Sequence, residues 1–369
     1  MSRLEREKFV KQLKDLVASP NFALETGPNV ELNAKALDLI ETWIDPSLEK
    51  KRIKNGNAEI LLIGNGDLLN PEVGYMVHTD VVSGSEKMFS LQEKDGKLFG
   101  RGVSDMKYSI PLGISLLNEL KRSVNSRSMT IAITTDEEIG GGEGGKYLAE
   151  NLKFRPKVLI VPDGGDGLVF VNKSKGVAHI WIESEGKSSH ASKPWEGQNA
   201  IDPLIKVAAS LIEKYGENSK VKNWKTTMNL GFMKGGVSTN QVADSAILKI
   251  DFRFPEIRTP QEVFEETQDL AKKINPDLKI TLPASGEATF TDTANPEVKK
   301  FLKIAESVIG REVKIEGEEG ASDARYFAKF DIPIFMIKPD GGDIHHETEW
   351  IDIDSCIKFY NILWKYIAG

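Results

Sequence analysis

The chain has 369 residues, 40% of them hydrophobic and 28% charged, a composition that fits a globular protein with room for two domains and a large core. Its formal net charge of −7 speaks against non-specific nucleic-acid binding, and its single cysteine, Cys356, excludes an internal disulfide framework and a cysteine-only zinc site. Met1 to Lys8 is charged where a signal peptide needs an apolar stretch, no apolar run approaches membrane-span length, and one cysteine fits a reducing cytoplasm, which is the expected location.

Apolar residues at Leu4, Phe9, Val10, Leu13, Leu16 and Val17 predict a helix over 4–17, stopped by Ser19-Pro20. Ala36, Leu37, Leu39, Ile40 and Trp43 repeat the pattern over 33–43. Short apolar runs at 60–63 and 73–77 predict buried strands, with Gly64-Asn65-Gly66-Asp67 as the turn between them. The second run ends in His78-Thr79-Asp80. Residues 96–105 read Gly-Lys-Leu-Phe-Gly-Arg-Gly-Val-Ser-Asp, a glycine loop, and a helix is expected from near Asp105 to about Arg122. A buried strand at 129–133 runs into Thr134-Thr135-Asp136-Glu137-Glu138 and a glycine cluster, Gly140 to Gly145. A helix over 146–151 leads to a fourth strand at 158–161, ended by Pro162-Asp163-Gly164-Gly165. Buried runs alternating with amphipathic helices predict an α/β fold with a mostly parallel sheet.

The pattern changes near Gly176. Strands are predicted at 177–182, 226–233, 246–254 and 279–282, with helices over 200–215 and 261–274. This β-α-β-β-α-β order is the ferredoxin-like arrangement. Buried runs alternating with helices return near Asn295, with a helix to about Ile309, a loop at Ser322-Asp323-Ala324-Arg325, a strand at 334–337, Gly341-Gly342-Asp343-Ile344-His345-His346, and a helix over 355–367. The expected organisation is a catalytic domain over 1–176 and 291–369 with an inserted ferredoxin-like α+β domain over 177–290.

His78 falls where a strand leaves its sheet, the carboxyl end at which open α/β sheets place their chemistry. In extended chain His78 and Asp80 point to the same side, so Asp80 can orient the imidazole as carboxylates do for metal-bound histidines. Alone, the triplet is an ordinary polar pair. Its weight comes from company: Asp105, Glu137, Glu138, Asp163 and His345 are expected at the same sheet edge. Two histidines with several carboxylates form an N/O donor set for zinc, manganese or cobalt, sufficient for two ions with one carboxylate shared. Asp105 is a candidate for the shared ligand; as a lone residue it would read as a helix N-cap. Adjacent Glu137 and Glu138 point apart, so that one can bind metal while the other takes a proton from water, as metal-assisted hydrolysis requires. Asp163 also reads as a turn aspartate, and His345-His346 as a surface pair. Gly140 to Lys146 approaches a phosphate-binding loop, but that motif needs Ser or Thr after the lysine, and Tyr147 stands there.

Together these segments resemble the M20 family of zinc peptidases and deacylases, which includes acetylornithine deacetylase, succinyl-diaminopimelate desuccinylase, tripeptidase and carnosine-type dipeptidases. The resemblance spans nearly the whole chain: His-Thr-Asp after a strand, Gly-Arg-Gly-Val-Ser-Asp-Met-Lys, Thr-Asp-Glu-Glu-Ile-Gly, a strand-end aspartate, and a histidine four residues before Glu349-Trp350. It implies that His78 and Asp163 bind one metal, Glu138 and His345 the other, and Asp105 bridges. Asp80 would orient His78, and Glu137 would be general base and then acid. His345 takes the ligand role over His346 by its spacing to Glu349. Asp at position 163 is more typical of the family's aminopeptidase and dipeptidase branches.

The inserted segment resembles the family's lid, whose histidine, here His190 in Gly-Lys-Ser-Ser-His-Ala-Ser-Lys-Pro, reaches a partner subunit's site to stabilise the oxyanion. A homodimer through the lid follows. Asn240 and Arg253 resemble substrate-side groups, and Arg325 of Ser-Asp-Ala-Arg resembles a binder of a substrate carboxylate; Ser322 as an N-cap with a solvated arginine is the alternative. Tyr108 and Ser109 depart from the family, which commonly has glycine after Asp-Met-Lys. The implied function is a di-metal hydrolase, with zinc first and cobalt or manganese behind, that cleaves an amide in a small peptide. An N-acyl-amino-acid deacylase is the alternative, and a non-catalytic metal- or peptide-binding relative is the remote one.

Overall fold

Apolar strands that alternate their side chains between two covered faces build the main sheet. In the computed structural model, which describes residues 4–22, 27–121, 123 and 126–369, six strands lie in the order Glu49–Asn55, Ala58–Gly64, Met129–Thr134, Val73–His78, Val158–Ile160 and Ile334–Phe335. The last four pair in parallel, whereas the first two are antiparallel to their neighbours. Tyr75, Val77, Ile131, Ile133 and Ile160 enter one apolar cluster, and Met76, Ala132 and Leu159 the other, as the two-residue period of a strand dictates.

The first cluster is covered by the helices Arg6–Val17, Ser109–Leu120, Pro296–Ile309 and Ile353–Ala368. Ser109–Leu120 lies so close to the sheet that a Cβ on Gly113 would sit 2.8 Å from Cε1 of Tyr75, and the Tyr75 hydroxyl donates to the Ser109 carbonyl at 3.1 Å.

Three sequence expectations are adjusted. The helix expected from Asp105 starts at Ser109, and Asp105 lies in an irregular turn before it (φ −128°, ψ 88°), so it is no N-cap. That helix ends at Leu120; Arg122 is outside the described residues. Glu49–Asn55 is a strand that the sequence does not predict: Glu-Lys-Lys-Arg-Ile-Lys-Asn has no apolar alternation, and only its place at the sheet edge lets so charged a segment pair.

The chain divides into two compact units: Met1–Lys173, Phe290–Glu318 and Ser322–Gly369 form one, and Ser174–Thr289 with Glu319–Ala321 the other. The second unit has an antiparallel sheet in the order Thr227–Gly235, Ser245–Phe254, Gly176–Glu185, Lys279–Gly286. Helices Ile201–Tyr215 and Pro260–Ile274 share a core with it. The second helix starts on a complete capping box, Thr259 with Glu262, and has Pro260 in its first turn.

In the first unit, Phe301 packs at ring-centroid distances of 4.9 Å from Phe335 and 5.2 Å from Tyr366, tying the last strand to both C-terminal helices. Phe301→Ala is expected to cost about 3–5 kcal/mol, read as a lowered midpoint in denaturant unfolding followed by near-UV circular dichroism.

Candidate metal centre

Parallel register brings the site residues to one level. Tyr75 pairs with Ile160, and Ile160 with Phe335; three residues further along these chains come His78, Asp163 and Lys338. His78 itself pairs with Thr134, the residue from which the chain runs on to Asp136, Glu137 and Glu138. The Asp105 turn is tied to the end of the first helix by the buried Lys107, whose ammonium donates to the carbonyls of Leu16 at 2.9 Å and Ser19 at 2.8 Å. His345 arrives on the loop after Gly341-Gly342 with φ +67°, a left-handed conformation that costs an L residue roughly 1–2 kcal/mol.

Asp105 stands between the two histidines. Its Oδ1 lies 3.2 Å from Nε2 of His78, and its Oδ2 lies 3.2 Å from Nε2 of His345. The same His345 nitrogen is 3.2 Å from Oε2 of Glu138. Two overlapping triads, His78 with Asp105 and Asp163, and Asp105 with Glu138 and His345, each bring their ligand atoms within 4.8 Å of one another. His346 and Glu137 join neither triad. Of the adjacent glutamates, Glu138 belongs to the second triad.

Asp80 does more than face the imidazole. His78 Nδ1 lies 3.0 Å from the main-chain carbonyl oxygen of Asp80 and 3.6 Å from its carboxylate. The carboxylate oxygens accept the N–H groups of Glu137 at 3.2 Å and Glu138 at 3.0 Å. Asp80 thus aims the histidine mainly through its backbone, and its side chain holds the glutamate pair. Asp136 works the same way one turn later, accepting from Glu143 and Gly144 at 2.9 Å each. The glycine cluster that resembles a phosphate-binding loop is therefore organised around a carboxylate of its own chain.

Burial and crowding disturb the titratable groups here. Burial raises Glu137, against the pull of His78 and with help from Asp163, Asp323 and Asp105, so its carboxyl titrates well above the usual range. Burial and then Asp105 raise Asp163, opposed by His78 and Lys338. Burial also works to raise Asp105, but hydrogen bonds from His345 and His78 outweigh it and hold this carboxyl well below the usual range. His345 is pushed up to about 10 by its hydrogen bonds to Asp105 and Glu138. His78 is raised despite burial by Asp105 and Asp80. Behind them, burial and the charges of Asp323 and Asp80 lift Asp136 to about 7, and burial lifts Asp323 to about 6.

The donor set fits divalent cations. The acidic surplus binds protons on both histidines, which is the charge a metal pair would supply. Oε1 of Glu138 is buried without a hydrogen-bond partner. A carboxylate with one oxygen toward each histidine is the geometry of a bridging ligand.

The remaining predicted residues belong to the second unit or have partners of their own. His190, Asn240 and Arg253 belong to the second unit. The Ser192 main-chain N–H donates to Nδ1 of His190 at 3.2 Å and the Ser192 hydroxyl sits 2.7 Å from it, which leaves the ring proton on Nε2. The Asn240 carbonyl accepts from Ala191 at 2.9 Å, so both loops run together. Arg253 is bound bidentately by Asp251 at 2.8 and 3.1 Å. Arg325 is buried rather than solvated, and donates to the Gly140 carbonyl at 2.7 Å and the Tyr326 hydroxyl at 3.2 Å. Arg253 therefore lacks the free fork expected of a carboxylate binder, whereas Arg325 is held through Nη2 alone, with its Nε buried and without a hydrogen-bond partner. Tyr108 is buried, with its hydroxyl donating to the Pro162 carbonyl at 2.8 Å beside Asp163. The residue that departs from the family thus supports a strand end.

Lys338, Arg101 and Glu349 had no expected role. Lys338 is buried, 3.1 Å from Asp166. Its signal in the sequence is the same as that of Asp163, a polar residue ending a buried strand.

The family model for peptidase family M20/M25/M40 matches residues 74–368. Over 371 residues the chain is 26% identical to acetylornithine deacetylase of Proteus mirabilis, covering 94% of this chain and 92% of that protein. It is 25% identical over 317 residues to succinyl-diaminopimelate desuccinylase of Marinobacter nauticus, covering 81% and 84%. Among solved structures, an M20 family metallo-carboxypeptidase from Sulfolobus solfataricus superposes with a TM-score of 0.82 at 17% identity, covering 98% of each chain. A tripeptidase from Staphylococcus aureus superposes with a TM-score of 0.77 at 19% identity, covering 99% and 98%.

Because His78 and His345 are held protonated by the carboxylates around them, each must lose a proton to become a ligand. Zinc binding to the metal-free protein should therefore release protons at neutral pH, and its affinity should weaken as pH falls from about 8 to about 6. Calorimetric titration in buffers of different ionisation enthalpy measures both.

Proposed function

The chain belongs to peptidase family M20/M25/M40 and is a metallohydrolase, and on that premise we propose that it cleaves an amide bond in a small peptide with two divalent cations, zinc foremost. The observation that carries this reading is the division of Asp105 between His78 and His345. His78 and Asp163 would hold one ion, Glu138 and His345 the other, with Asp105 between. Cobalt and manganese suit the same nitrogen and oxygen donors. Bound there, the ions supply Lewis acidity that polarises the scissile carbonyl and acidifies water.

Glu137 takes the proton from the attacking water and returns it to the leaving nitrogen, which becomes an amine. A carboxyl raised by burial suits the first half of that task, since it holds a proton more firmly than an ordinary carboxylate does. Asp80 fixes the base by its bond to the Glu137 N–H. His190, with its proton on Nε2, is the donor proposed for the oxyanion. Arg253, held by Asp251, enters this reading as a structural group, and Asn240 and Arg325 remain the proposed contacts to substrate.

The second unit is read as a lid and dimerisation domain. Its edge strand Thr227–Gly235 exposes Phe232 and Met233, and helix Ile201–Tyr215 exposes Ile205 and Ile212 on one stripe. An unpaired strand edge beside an apolar helix stripe suits pairing with a second copy. Among the described residues no helix is long and apolar enough to cross a membrane; cytoplasmic action on a small peptide is the reading that fits the buried, unpaired Cys356.

A second substrate class is favoured by the named relatives: acetylornithine deacetylase and succinyl-diaminopimelate desuccinylase act on acylated amines. Asp163 inclines the present reading toward peptides, because aspartate at that position is the habit of the family's aminopeptidase and dipeptidase branches. Dipeptides, tripeptides and N-acyl amino acids assayed side by side with zinc, cobalt and manganese separate the two, and turnover confined to acylated substrates would reassign the chain. Glu137→Gln should lower kcat by about 10²–10⁴-fold while both metals stay bound; near-wild-type turnover would remove Glu137 from the role of base. Ile205→Glu with Ile212→Glu should convert the dimer to a monomer in light scattering.

A further inference from the structure

Two side chains outside the ligand set connect the two loops that matter most. Glu349 is 1% exposed and Arg101 is 3% exposed, and they pair at 2.8 Å. Glu349 also accepts the main-chain N–H groups of Gly102 and Ser104 at 3.0 Å each, and of Asp105 at 3.2 Å. The last of these belongs to the bridging ligand itself. Arg101 donates in the other direction, to the carbonyl of His345 at 3.1 Å and of His346 at 3.4 Å, and to that of Ser83 at 3.3 Å. The first of those belongs to the other ligand. One ion pair therefore grips the backbone of Asp105 at one end and the backbone of His345 at the other.

Both loops need such a grip. His345 has φ +67°, and a residue in that region stays there only where its surroundings over-determine it. The Asp105 turn has no regular ladder, and the N–H groups of Gly102, Ser104 and Asp105 have Glu349 as their acceptor. Gly102 has φ +79°, and a Cβ there would meet Val81 Cγ1 at 2.5 Å, so the turn is pressed with no slack against the segment that follows strand Val73–His78. Buried ion pairs are weak sources of stability, because desolvation offsets their attraction. This one ends on ligand backbones, and that placement suits geometry.

We infer that Arg101 and Glu349 are positioning residues for the metal centre, setting the distance between the bridging Asp105 and His345 and thereby the affinity of the position formed by Asp105, Glu138 and His345. The inference rests on the two-metal reading. The ion on His78 and Asp163 shares only Asp105 and depends on the pair less.

The test is titration of metal-free protein with cobalt or zinc, followed by calorimetry and by the cobalt visible spectrum. Wild type should take up two equivalents. Arg101→Lys keeps the charge but cannot span Glu349 and the carbonyls together; Glu349→Gln keeps the shape and loses the charge. Each should bind the first equivalent nearly as wild type and the second about 10- to 100-fold more weakly, with kcat recovering as metal concentration rises. Glu349→Asp should fall between them and wild type. Glu347→Ala, on the same loop in an exposed pair with Lys87, should leave both affinities unchanged. If Glu349→Gln fails to fold by circular dichroism, Arg101→Lys and Glu349→Asp carry the comparison. Folded variants that bind both equivalents with wild-type affinity would overturn the positioning role. A wild type that binds only one equivalent would instead sink the two-metal reading.

Discussion

Carboxylates gathered at one end of a sheet, away from water, repel each other, and the arrangement is stable only beside positive charge. Asp105, Glu137, Glu138 and Asp163 meet this condition by borrowing protons: the histidines are held charged, and burial keeps Glu137 and Asp163 ready to be neutral. Lys338 adds one fixed cation nearby, lowering Asp105 and Asp163 alike. The same imbalance makes the site receptive to divalent ions and raises the proton affinity of Glu137 above that of an ordinary carboxylate.

A shared device holds the irregular chain around this charge. Loops beyond the end of a sheet have N–H groups that no ladder can satisfy. Asp80 collects those of Glu137 and Glu138, Asp136 those of Glu143 and Gly144, and Glu349 those of Gly102, Ser104 and Asp105. Each anion serves as the acceptor around which a turn closes. The carboxylates of this region thus divide into those that face the metal position and those that shape the backbone presenting it.

That division explains what can be read from the sequence and what cannot. Strand ends are legible: a short apolar run followed by a polar ligand marks His78, the Glu137–Glu138 pair and Asp163. Matched register turns those separate marks into one site. Partnership is not legible. Arg253 looks like a free guanidinium group until Asp251 is seen beside it, and Asp80 reads as a partner of His78 because its neighbours in space are hidden. The turn at Asp105 looks like a helix start because its apolar period begins there, yet bonds to Glu349 keep it irregular. The charged strand Glu49–Asn55 leaves no mark because edge pairing demands little of side chains. Lys338 obeys the strand-end rule, but a lysine is not a ligand and so signals no site.

The discontinuity of the first unit has a consequence during synthesis. Five of the six strands of its sheet lie before residue 174, while Ile334–Phe335, which covers the side of Val158–Ile160, is made only after the whole second unit. A nascent chain at that stage carries an apolar strand with one open edge, the kind of surface on which chains stick to each other. Arg101, too, waits for Glu349 with its charge uncompensated. The intervening unit, with a core of its own, separates the two halves in time as well as in sequence. Successful folding in the cell then depends on how long the early sheet can stand open before the last segment emerges from the ribosome to close it.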